Sequence, residues 1–555
     1  MKKFLKGAAV FAAAAFTFSA GVSFASCGNR GGSDALVLFV NNGNNFDGVS
    51  KDRIWKQIEE KIGAELKFNG TAHSSSYYTK LNPLMNTINN MPDVVFVVPS
   101  SEEMGLSTFS ERWTADDSGL LYDYDELLAD YPAGTFPYLE RVFSSRQYKN
   151  IKHNDGHYIL PNISSNNSWG IYYRTDWLIN VGYYTEENGM KTARYPKTLD
   201  EVTDVMRLFA TADPDGNGKA DTYGFCPGKG EHCWNAFYHA FGVSTDWDLD
   251  KAGNLEYMYT SPEFKNFLGW ANGLYKEGVI YPTFSSVTAN GDRDLFYSGK
   301  TGMLITNAES HVSFIMSKLR ALGLAEKVGI GPLFKGTETL GENGSGGFSD
   351  WGGWWGGYCI TKKCKNIKAA LTLLDYMLST EGAMLRTYGI ENVHYTIGEN
   401  GEILPNTQER LSDGGGKWEE FTVDGVNAPV GRYVLGTIFG YPVDWENFDS
   451  TGEIELKITA KLLDAENEAM VQRAMDLMEL KTSKLRNITA YSTSVISVMN
   501  GVQDESKAFI NNAIIGKKNL AGDWDSMISS LKGLKWTAME SSVKNTLKEL
   551  GVIEN

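Results

Sequence analysis

One short stretch, "ADPDGNGKADTYGF" (212–225), carries oxygen-bearing groups with the spacing of a metal-binding loop. The alternating positions are Asp213, Asp215, Asn217, Lys219 and Asp221. In a twelve-residue calcium loop, side-chain and main-chain oxygens recur in this rhythm, and a Glu at the twelfth position completes a sensor site. The twelfth position here is Gly224. The residues therefore leave three alternatives: a calcium switch, a structural calcium site, or a polar turn without metal.

A second candidate for chemistry is the cysteine near the N-terminus. Lys2, Lys3 and Lys6 precede an apolar, Ala-rich run, and Cys27 follows directly after Ala25-Ser26. The run is short and ends in small residues, which is typical of a secretory signal and not of a spanning helix. We predict a signal peptide over 1–26, a lipid on Cys27 as in a bacterial lipobox, and a polar tether over 27–34; ordinary cleavage is the alternative.

The other four cysteines form two close pairs, Cys226 with Cys233 and Cys359 with Cys364. Neither spacing resembles a zinc site, and no His pair accompanies them. Outside the cell, Cys226 and Cys233 could close a small disulfide loop, and two buried thiols are the alternative. No catalytic role is assigned to these cysteines.

The charge balance limits the kinds of partner. Acidic side chains number 68 against 52 basic ones, for a net charge of −16, and loss of the signal removes three of the lysines. This balance argues against binding to nucleic acid or to an anionic membrane surface. The 14 Trp residues point instead to aromatic stacking on flat ligand faces.

The elements that position these groups are those of an α/β protein. A short apolar run at 36–40 and another at 94–98 predict buried strands, and Ile54, Ile58 and Ile62 share one face of a helix between them. Strand, helix and apolar strand in this order indicate a parallel sheet covered on both faces. Ligands collect at the carboxyl ends of such strands, which nominates four residues: Asn41, Asn42, Asn44 and Ser100.

The loop at 212–225 follows a predicted helix that begins with a capping box, Thr198 to Glu201, and precedes a short strand at 223–225. No second loop of this kind and no exiting helix is evident in the sequence. These two features are needed in a calcium sensor, so the sensor alternative is disfavoured.

In this order, several segments resemble the extracellular solute-binding lipoproteins (family 1, oligosaccharide type) of bacterial ABC importers. The segments are "YRTDWL" (173–178), "PKTLDEV" (196–202), "DPDGNGKADTYGF" (213–225), "FYSGKTGML" (296–304), "KNIKAALTLLDYMLSTEGAMLRTYGIENVHYTI" (365–397) and "KAFINNAIIGKKNLAGDWDSMISSLKGL" (507–534). The resemblance lies in the order of these segments, which together extend over nearly the whole mature chain.

The resemblance implies a two-lobed, periplasmic-binding-protein-like (type II) α/β fold with hinge crossings and an extended helical C-terminal part. It places lobe 1 at 35–168 plus 299–358 and lobe 2 at 169–298 plus 359–555. It also implies a monomer outside the cytoplasm, lipid-anchored to the cell membrane. Such a protein is not an enzyme: it closes over an oligosaccharide and delivers it to the transmembrane subunits of the importer.

For the loop, the resemblance implies one structural calcium ion in lobe 2, away from the sugar. Asp213, Asp215, Asn217 and Asp221 would supply side-chain oxygens, and Lys219 its main-chain carbonyl. Relatives often carry a further carboxylate where this chain has Thr222, so one charged ligand is missing.

Sugars present apolar CH faces and a rim of hydroxyls, so aromatic rings and polar side chains in loops are the expected ligands. The predicted ligand-binding residues are Trp351, Trp354, Trp355, Trp169, Trp234, Asn42, Asn44, Glu309 and His311. Two alternatives remain open at this point. A secreted lyase or glycosidase would use paired carboxylates beside Trp, with Asp350 as one candidate. An anchored binder of a non-sugar solute is the other.

Overall fold

The architecture is that of a computed structural model of the 555-residue chain. The described residues are 35–40, 53–68, 74–99, 109–114, 118–163, 169–228, 231–250, 252–287, 291–341, 344–350, 352–354, 356–388, 390–392, 395–398, 403–405, 420–423, 426–429, 443, 445 and 465–554. Several predicted positions lie outside these ranges: the signal peptide, Cys27 with the tether, Asn41, Asn42, Asn44, Ser100, Trp351 and Trp355.

Strands and helices alternate through most of the described chain. The strands are β1 (Leu36–Phe39), β2 (Leu66–Phe68), β3 (Val94–Val97), β4 (Leu160–Pro161), β5 (Trp169–Arg174), β6 (Tyr184–Glu187), β7 (Met190–Ala193), β8 (Tyr223–Phe225), β9 (Trp247–Leu249), β10 (Leu255–Tyr257), β11 (Thr301–Asn307), β12 (Val328–Gly331), β13 (Phe348–Ser349), β14 (Gly357–Ile360), β15 (Tyr395–Ile397), β16 (Ile403–Pro405), β17 (Glu420–Val423), β18 (Val426–Pro429) and β19 (Leu480–Lys481). The helices are α1 (Arg53–Ile62), α2 (Ser74–Met85), α3 (Tyr124–Ala129), α4 (Pro137–Ser144), α5 (Thr175–Asn180), α6 (Leu199–Thr211), α7 (Asn235–Ala240), α8 (Pro262–Lys276), α9 (Gly291–Tyr297), α10 (Ala308–Ala321), α11 (Ile367–Leu378), α12 (Thr380–Tyr388), α13 (Ala465–Leu477), α14 (Thr493–Ile514), α15 (Leu520–Gly533) and α16 (Trp536–Glu549).

The first hydrophobic core surrounds a five-stranded sheet with the order β2-β1-β3-β14-β4. β1 pairs in parallel with β2 and β3, while β14 runs antiparallel to β3 and β4. Every residue of β3 and β14 is buried, so both faces of the sheet are covered. The predicted parallel unit of strand, helix and second strand is therefore confirmed, whereas the sheet as a whole is mixed because β14 runs antiparallel.

The second core surrounds a four-stranded sheet with the order β12-β5-β11-β8. β11 runs parallel to β8 and antiparallel to β5, so the sheet is mixed. The predicted capping box starts α6 on this core: the Thr198 hydroxyl accepts a hydrogen bond from the Glu201 N–H at 3.2 Å. Val202, Val205 and Phe209 then bury one face of the helix.

The structure corrects part of the predicted allocation of 299–358 to lobe 1 and of 359–555 to lobe 2, namely the placement of β11 and of α11. β11 pairs with β5 from Met303 opposite Tyr173 to Asn307 opposite Trp169, which places it in the second core. β14 joins the first sheet, and α11 packs there against α1 and α4. The physical reason is that all seven residues of β11 are buried, and such a strand needs a partner on each edge. Apolar content alone does not specify which partner.

The C-terminal helices belong to the second core. α14 packs against α8, α15 and α16, and its buried face includes Val502 and Phe509. The Asn272 side chain of α8 donates hydrogen bonds to the carbonyls of Ala513 and Ile514 at 3.1 and 2.9 Å, which satisfies the last turn of α14. None of the described helices combines the length and the apolar character needed to cross a membrane.

Cys226 and Cys233 are buried free thiols, as are Cys359 and Cys364. Of the two alternatives left open by the sequence, the structure therefore shows thiols and not a disulfide. Burial raises the pKa of the Cys233 thiol to about 12 and also raises that of Cys226, so both remain protonated and unreactive at neutral pH.

Candidate functional site

A cavity of about 770 Å³ opens on the second core, which is within the size range of sites for small organic ligands. Its walls come from segments far apart in the chain. They are the turn before α7 and the start of that helix, the loop leading into β9, residues 258–259 and 284–285, residues 349–350, residues 483–491, and one face of α14. The site is thus assembled by the tertiary fold and not by any single motif.

Aromatic rings form much of the cavity wall. Trp234 lies in the turn before α7 and packs edge-on against Phe225 and Phe267. Trp247, in β9, stacks on Tyr257 with ring centroids 4.3 Å apart. These contacts hold both indoles in fixed orientations, so a ligand meets preformed apolar surfaces that suit the CH faces of a sugar ring.

Several polar side chains in the same wall have no internal partner. Asn235 is 6% exposed, and its side chain makes no hydrogen bond within the described part of the chain. The same is true there of Gln503, Lys507 and Asn511, which follow Met499 at intervals of four along α14 and share its cavity-facing side. Asn235 is buried, Gln503 and Lys507 are half-buried, and Asn511 is exposed. Buried polar groups are normally hydrogen-bonded, so the unpartnered Asn235 amide beside the cavity is available to a ligand, as are the more exposed groups of α14.

A second set of polar groups in the wall is already engaged. The Arg486 guanidinium lies 2.5 Å from the Asp350 carboxylate, whose side chain is only 2% exposed. The same carboxylate accepts hydrogen bonds from the Gly352 N–H at 2.9 Å and from the Thr482 hydroxyl at 3.0 Å. Asp350, which the sequence nominated as a candidate catalytic carboxylate, therefore ties two segments of the wall together.

The two cores meet next to this ion pair through Asn487. Its side-chain amide donates to the carbonyls of Gln147 and Gly352, both at 2.9 Å, and its oxygen accepts from the Trp354 indole N–H at 2.9 Å. Two residues further on, the Thr489 hydroxyl donates to the Lys152 carbonyl at 2.9 Å. The segment 483–491 therefore belongs to the second core, contacts the first core through Asn487 and Thr489, and forms part of the cavity wall.

The structure places the described members of the predicted ligand set in different surroundings. Trp234 lines the cavity. Trp354 is half-buried and donates to Asn487 where the two cores are in contact, while Trp169 is 6% exposed and stacks on Phe348 with centroids 5.6 Å apart. Glu309 and His311 lie in the first turn of α10, and their side chains are outside the described residues, so their roles stay predictions.

Sequence reasoning missed Asn235, Trp247, Arg486 and the polar face of α14. Gln503, Lys507 and Asn511 recur every four residues and so share one face of the helix, but Asp504, Glu505 and Asn512 are polar as well, so composition did not single out this face. Nothing in the spacing indicated that this face borders a cavity.

The loop at 213–221 is a separate polar structure, folded back on itself. Asp213 adopts a left-handed conformation with φ of 48°, and its carboxylate accepts the main-chain N–H groups of Asn217 and Gly218 at 3.0 and 2.9 Å. The Asn217 amide donates to Asp215 at 2.7 Å and to Asp221 at 3.2 Å. These bonds satisfy most of the oxygens that the calcium prediction relies on.

A lysine outside the loop, Lys300, forms an ion pair with the last carboxylate of the loop, Asp221. The Lys300 ammonium lies 2.7 Å from the Asp221 carboxylate, and this contact, with the Asn217 amide, lowers the pKa of Asp221. Thr222, where the resemblance implied a further carboxylate, is 4% exposed and donates to the Phe209 carbonyl at 2.8 Å. The oxygen donors are of the kind that Ca²⁺ prefers. No group of three or more His, Cys, Asp or Glu side chains among the described residues is arranged to hold a metal ion.

Comparison with known proteins finds similar sequences among bacterial proteins, two of them from Bacillus subtilis. The sequence is 25% identical over 367 residues to the polygalacturonan/rhamnogalacturonan-binding protein YtcQ of Bacillus subtilis, covering 63% of this chain and 65% of that protein. It is 28% identical over 368 residues to lipoprotein LipO of the same organism, covering 62% and 64%. The match thus spans slightly less than two thirds of each of these relatives.

Among solved structures, the chain resembles an HMO-binding, ABC-transporter-associated solute-binding protein from Bifidobacterium longum infantis. That likeness has a TM-score of 0.63 at 15% identity and covers 93% of this chain and 99% of the other. It supports the predicted two-domain α/β fold. The family model for bacterial extracellular solute-binding proteins matches residues 48–384, more than half of the sequence and parts of both cores. The chain therefore belongs to the bacterial extracellular solute-binding protein family.

Proposed function

We propose that this protein captures an oligosaccharide in the cavity and delivers it to the transmembrane subunits of an ABC importer. The observation that carries the proposal is the composition of the wall. Fixed aromatic rings at Trp234 and Trp247 lie beside amide groups, at Asn235 and Gln503, that have no internal partner in the described chain. Apolar faces next to free hydrogen-bonding groups match the two-sided surface of a sugar. The names of YtcQ and of the Bifidobacterium protein support this class of ligand.

Closure of the two lobes is the proposed mechanism. Asn487 of the cavity wall is hydrogen-bonded to Gln147 of the first core, so a change in the angle between the cores alters the surroundings of this part of the wall. A ligand that contacts both sides of the wall only in the closed arrangement shifts the equilibrium towards that arrangement. The closed form then presents its acidic surface to the importer subunits.

The proposed role is binding without turnover. A glycosidase or lyase needs carboxyl groups free to exchange protons or attack the substrate. Asp350 is held by Arg486, Gly352 and Thr482, which suits a structural role better than a catalytic one. Incubation with polysaccharides and oligosaccharides, followed by product chromatography, tests this directly. Products whose release stops in an Asp350→Asn variant that remains folded would overturn the binding role.

We further place the protein outside the cytoplasm as a monomer, anchored to the cell membrane by a lipid (palmitate or a related acyl chain) on Cys27. The N-terminal pattern and the name of the relative LipO support this location. Membrane fractionation of the full chain and of a Cys27→Ala variant is the test. Equal membrane association of both chains would contradict the lipid anchor.

For the loop at 213–221 we propose a structural role for one Ca²⁺ ion. Asp213, Asp215, Asn217 and Asp221 would hold it with side-chain oxygens and Lys219 with its carbonyl, and the ion would neutralise the clustered carboxylates there. Lys300 and the Asn217 amide already contact these carboxylates, so the ion has to compete with them.

The experiment that tests the capture function is a thermal-shift screen against an oligosaccharide panel, run in Ca²⁺ and in a chelator. A ligand at about 100 times its Kd should stabilise the folded protein by about 2.7 kcal/mol. We expect at least one saccharide to raise the Tm in both conditions, and Ca²⁺ alone to raise it independently. Small-angle scattering with the best ligand should show a smaller radius. A panel without any binder would overturn the capture function, and an unchanged radius with a bound ligand would overturn closure.

A further inference from the structure

The cavity contains one cation with no internal counter-charge in the described part of the chain. Lys507 lies in the middle of the cavity-facing side of α14, half-buried, and forms no ion pair or hydrogen bond with the described residues. The other cation of the wall, Arg486, is paired with Asp350, and Asp246 is engaged in an interaction of its own. Of the cations that the structure describes in the wall, Lys507 is therefore the one that remains available to a ligand.

This arrangement is unusual against the charge of the whole chain. The protein carries a formal charge of −16, so a surface chosen at random is more often acidic than basic. Among the described side chains of the wall, the charged ones are two acids and two bases, Asp246 and Asp350 against Arg486 and Lys507. The described part of the wall therefore has no net charge within an acidic protein, and it can admit an anion.

A ligand that covers the half-buried Lys507 side chain would remove water from its ammonium, so the charge of the ligand affects the binding free energy. When a ligand displaces water and the lobes close, an ammonium that meets only neutral hydroxyls loses hydration without gaining a counter-charge. A carboxylate at the same place restores the lost interaction through a charge-assisted hydrogen bond, which is stronger than a neutral one. An anionic ligand therefore gains more from this wall than a neutral ligand of the same shape.

The neighbours of Lys507 on the helix indicate a ligand of more than one ring. Gln503 and Asn511 lie one turn to either side, so the three polar groups extend along about 12 Å of helix at 1.5 Å per residue. The amides can bond to hydroxyls of the rings on either side, while the ammonium faces the middle of the ligand. The positions of these three groups set the order neutral, charged, neutral along the wall.

We propose that the cavity is specific for an acidic oligosaccharide, and that Lys507 binds the carboxylate of a uronic acid unit. This inference rests on the proposed capture of a saccharide and names its chemical class. Lys507 is on this account a specificity-determining residue, whereas Gln503 and Asn511 contribute to the binding of any sugar.

The test compares one skeleton with and without its charge. The probes are α-1,4-linked trigalacturonate and its trimethyl ester, titrated calorimetrically into the wild-type protein, Lys507→Met and the control Lys532→Met. Lys532 is an exposed lysine in the last turn of α15, so the control removes the same charge away from the cavity. We expect the wild type and the control to bind the acid at least about 10-fold more tightly than the ester. Lys507→Met should lose this preference by weakening binding of the acid about 10- to 100-fold, with ester binding changed less than about threefold.

The outcomes separate this inference from the capture function. Equal binding of acid and ester by the wild type, binding of neither probe, or a preference that survives in Lys507→Met would each overturn the uronate assignment. If a neutral oligosaccharide from the panel still binds, capture stands and only the assignment falls. If no saccharide binds, both fall. Circular dichroism and the Tm of each variant establish that a lost preference does not come from unfolding.

Discussion

The cavity wall and the loop at 213–221 both contain amide and charged side chains, but they differ in how many of these side chains have an internal hydrogen bond or ion pair. In the loop, the Asp213 carboxylate accepts two main-chain N–H groups and Asp221 pairs with Lys300. In the cavity wall, Asn235 and Lys507 have no internal partner among the described residues. A polar group that is already bonded contributes to the folded state, whereas an unbonded one keeps its capacity for a ligand. Bonding state, and not residue type, separates the two roles.

The largest expected effect is on stability and concerns Arg486. This residue lines the cavity but already forms an internal ion pair, as Asp221 of the loop does. Arg486→Met leaves the nearly buried Asp350 carboxylate without its counter-charge. We expect the free energy of unfolding to fall by about 3–5 kcal/mol, as for other broken buried pairs. Urea denaturation measures this change.

Arg207→Met is the matched control, because Arg207 pairs with Glu277 on the surface with both side chains 45% exposed. An exposed pair contributes at most about 1 kcal/mol. If the two variants lose the same stability, the Arg486–Asp350 pair does not stabilise the cavity wall. The presence of an internal bond then does not distinguish structural side chains from ligand-binding ones.

The second effect concerns binding. Asn235→Ala should lower the affinity for the best saccharide of the panel by about 10-fold, the equivalent of one lost hydrogen bond, and should change the Tm by less than about 2 °C. The reason is that its amide has no bond to lose in the free protein. Calorimetric titration and thermal melting measure the two quantities.

Asn272→Ala, in the same core, should have the opposite effects: a lower Tm and an unchanged affinity. Asn272 donates to two carbonyls at the end of α14, so its removal should lower the Tm and leave the affinity unchanged. An affinity loss in both variants, or in neither, would contradict the distinction between bonded and unbonded amides.

A third, smaller effect is expected in the loop. Asp213→Ala removes the acceptor for two N–H groups and places Ala at a φ of 48°. Backbone strain of this kind costs about 1–3 kcal/mol, so unfolding in urea should begin at a lower concentration while saccharide affinity stays constant. The stabilisation by Ca²⁺ should also be lost. Asp213→Asn, which tolerates the conformation and keeps an acceptor, should lose less stability; equal losses would show that the conformation does not matter.

The smallest effect is a pH dependence of the loop. The Lys300 contact and the Asn217 amide lower the pKa of Asp221 in the folded protein, so the folded state favours the carboxylate. Such a group contributes stability above the ordinary pKa of Asp, and this contribution is lost as the pH falls through the lowered folded value. Both side chains are well exposed, so salt should screen the effect.

Thermal melts of the wild type and of Lys300→Met between pH 7 and pH 3 measure this contribution. The two proteins should differ most near neutral pH and converge in acid. A constant difference across the whole range would mean that Lys300 acts through packing and not through the charge of Asp221.

Local patterns predicted those parts of the molecule whose partners are close in sequence. The strands at 36–40 and 94–98 and the capped start of α6 were all readable from spacing, because each depends on residues a few positions apart. The position of β11 could not be predicted from spacing, because a fully buried apolar strand is compatible by composition with either sheet. The same limit explains the wrong allocation of β11 and β12, within 299–358, to lobe 1.

By itself, the sequence determined the α/β class, the family resemblance and the donor set of the loop, because these depend on residue type and short-range spacing. Only the tertiary structure decided which polar groups remain unbonded. Asn235, Arg486 and Lys507 lie in one wall although 272 positions of the numbering separate the first from the last. Whether a side chain has a partner depends on which distant segments the packed cores bring beside it, and that information is not local to any motif.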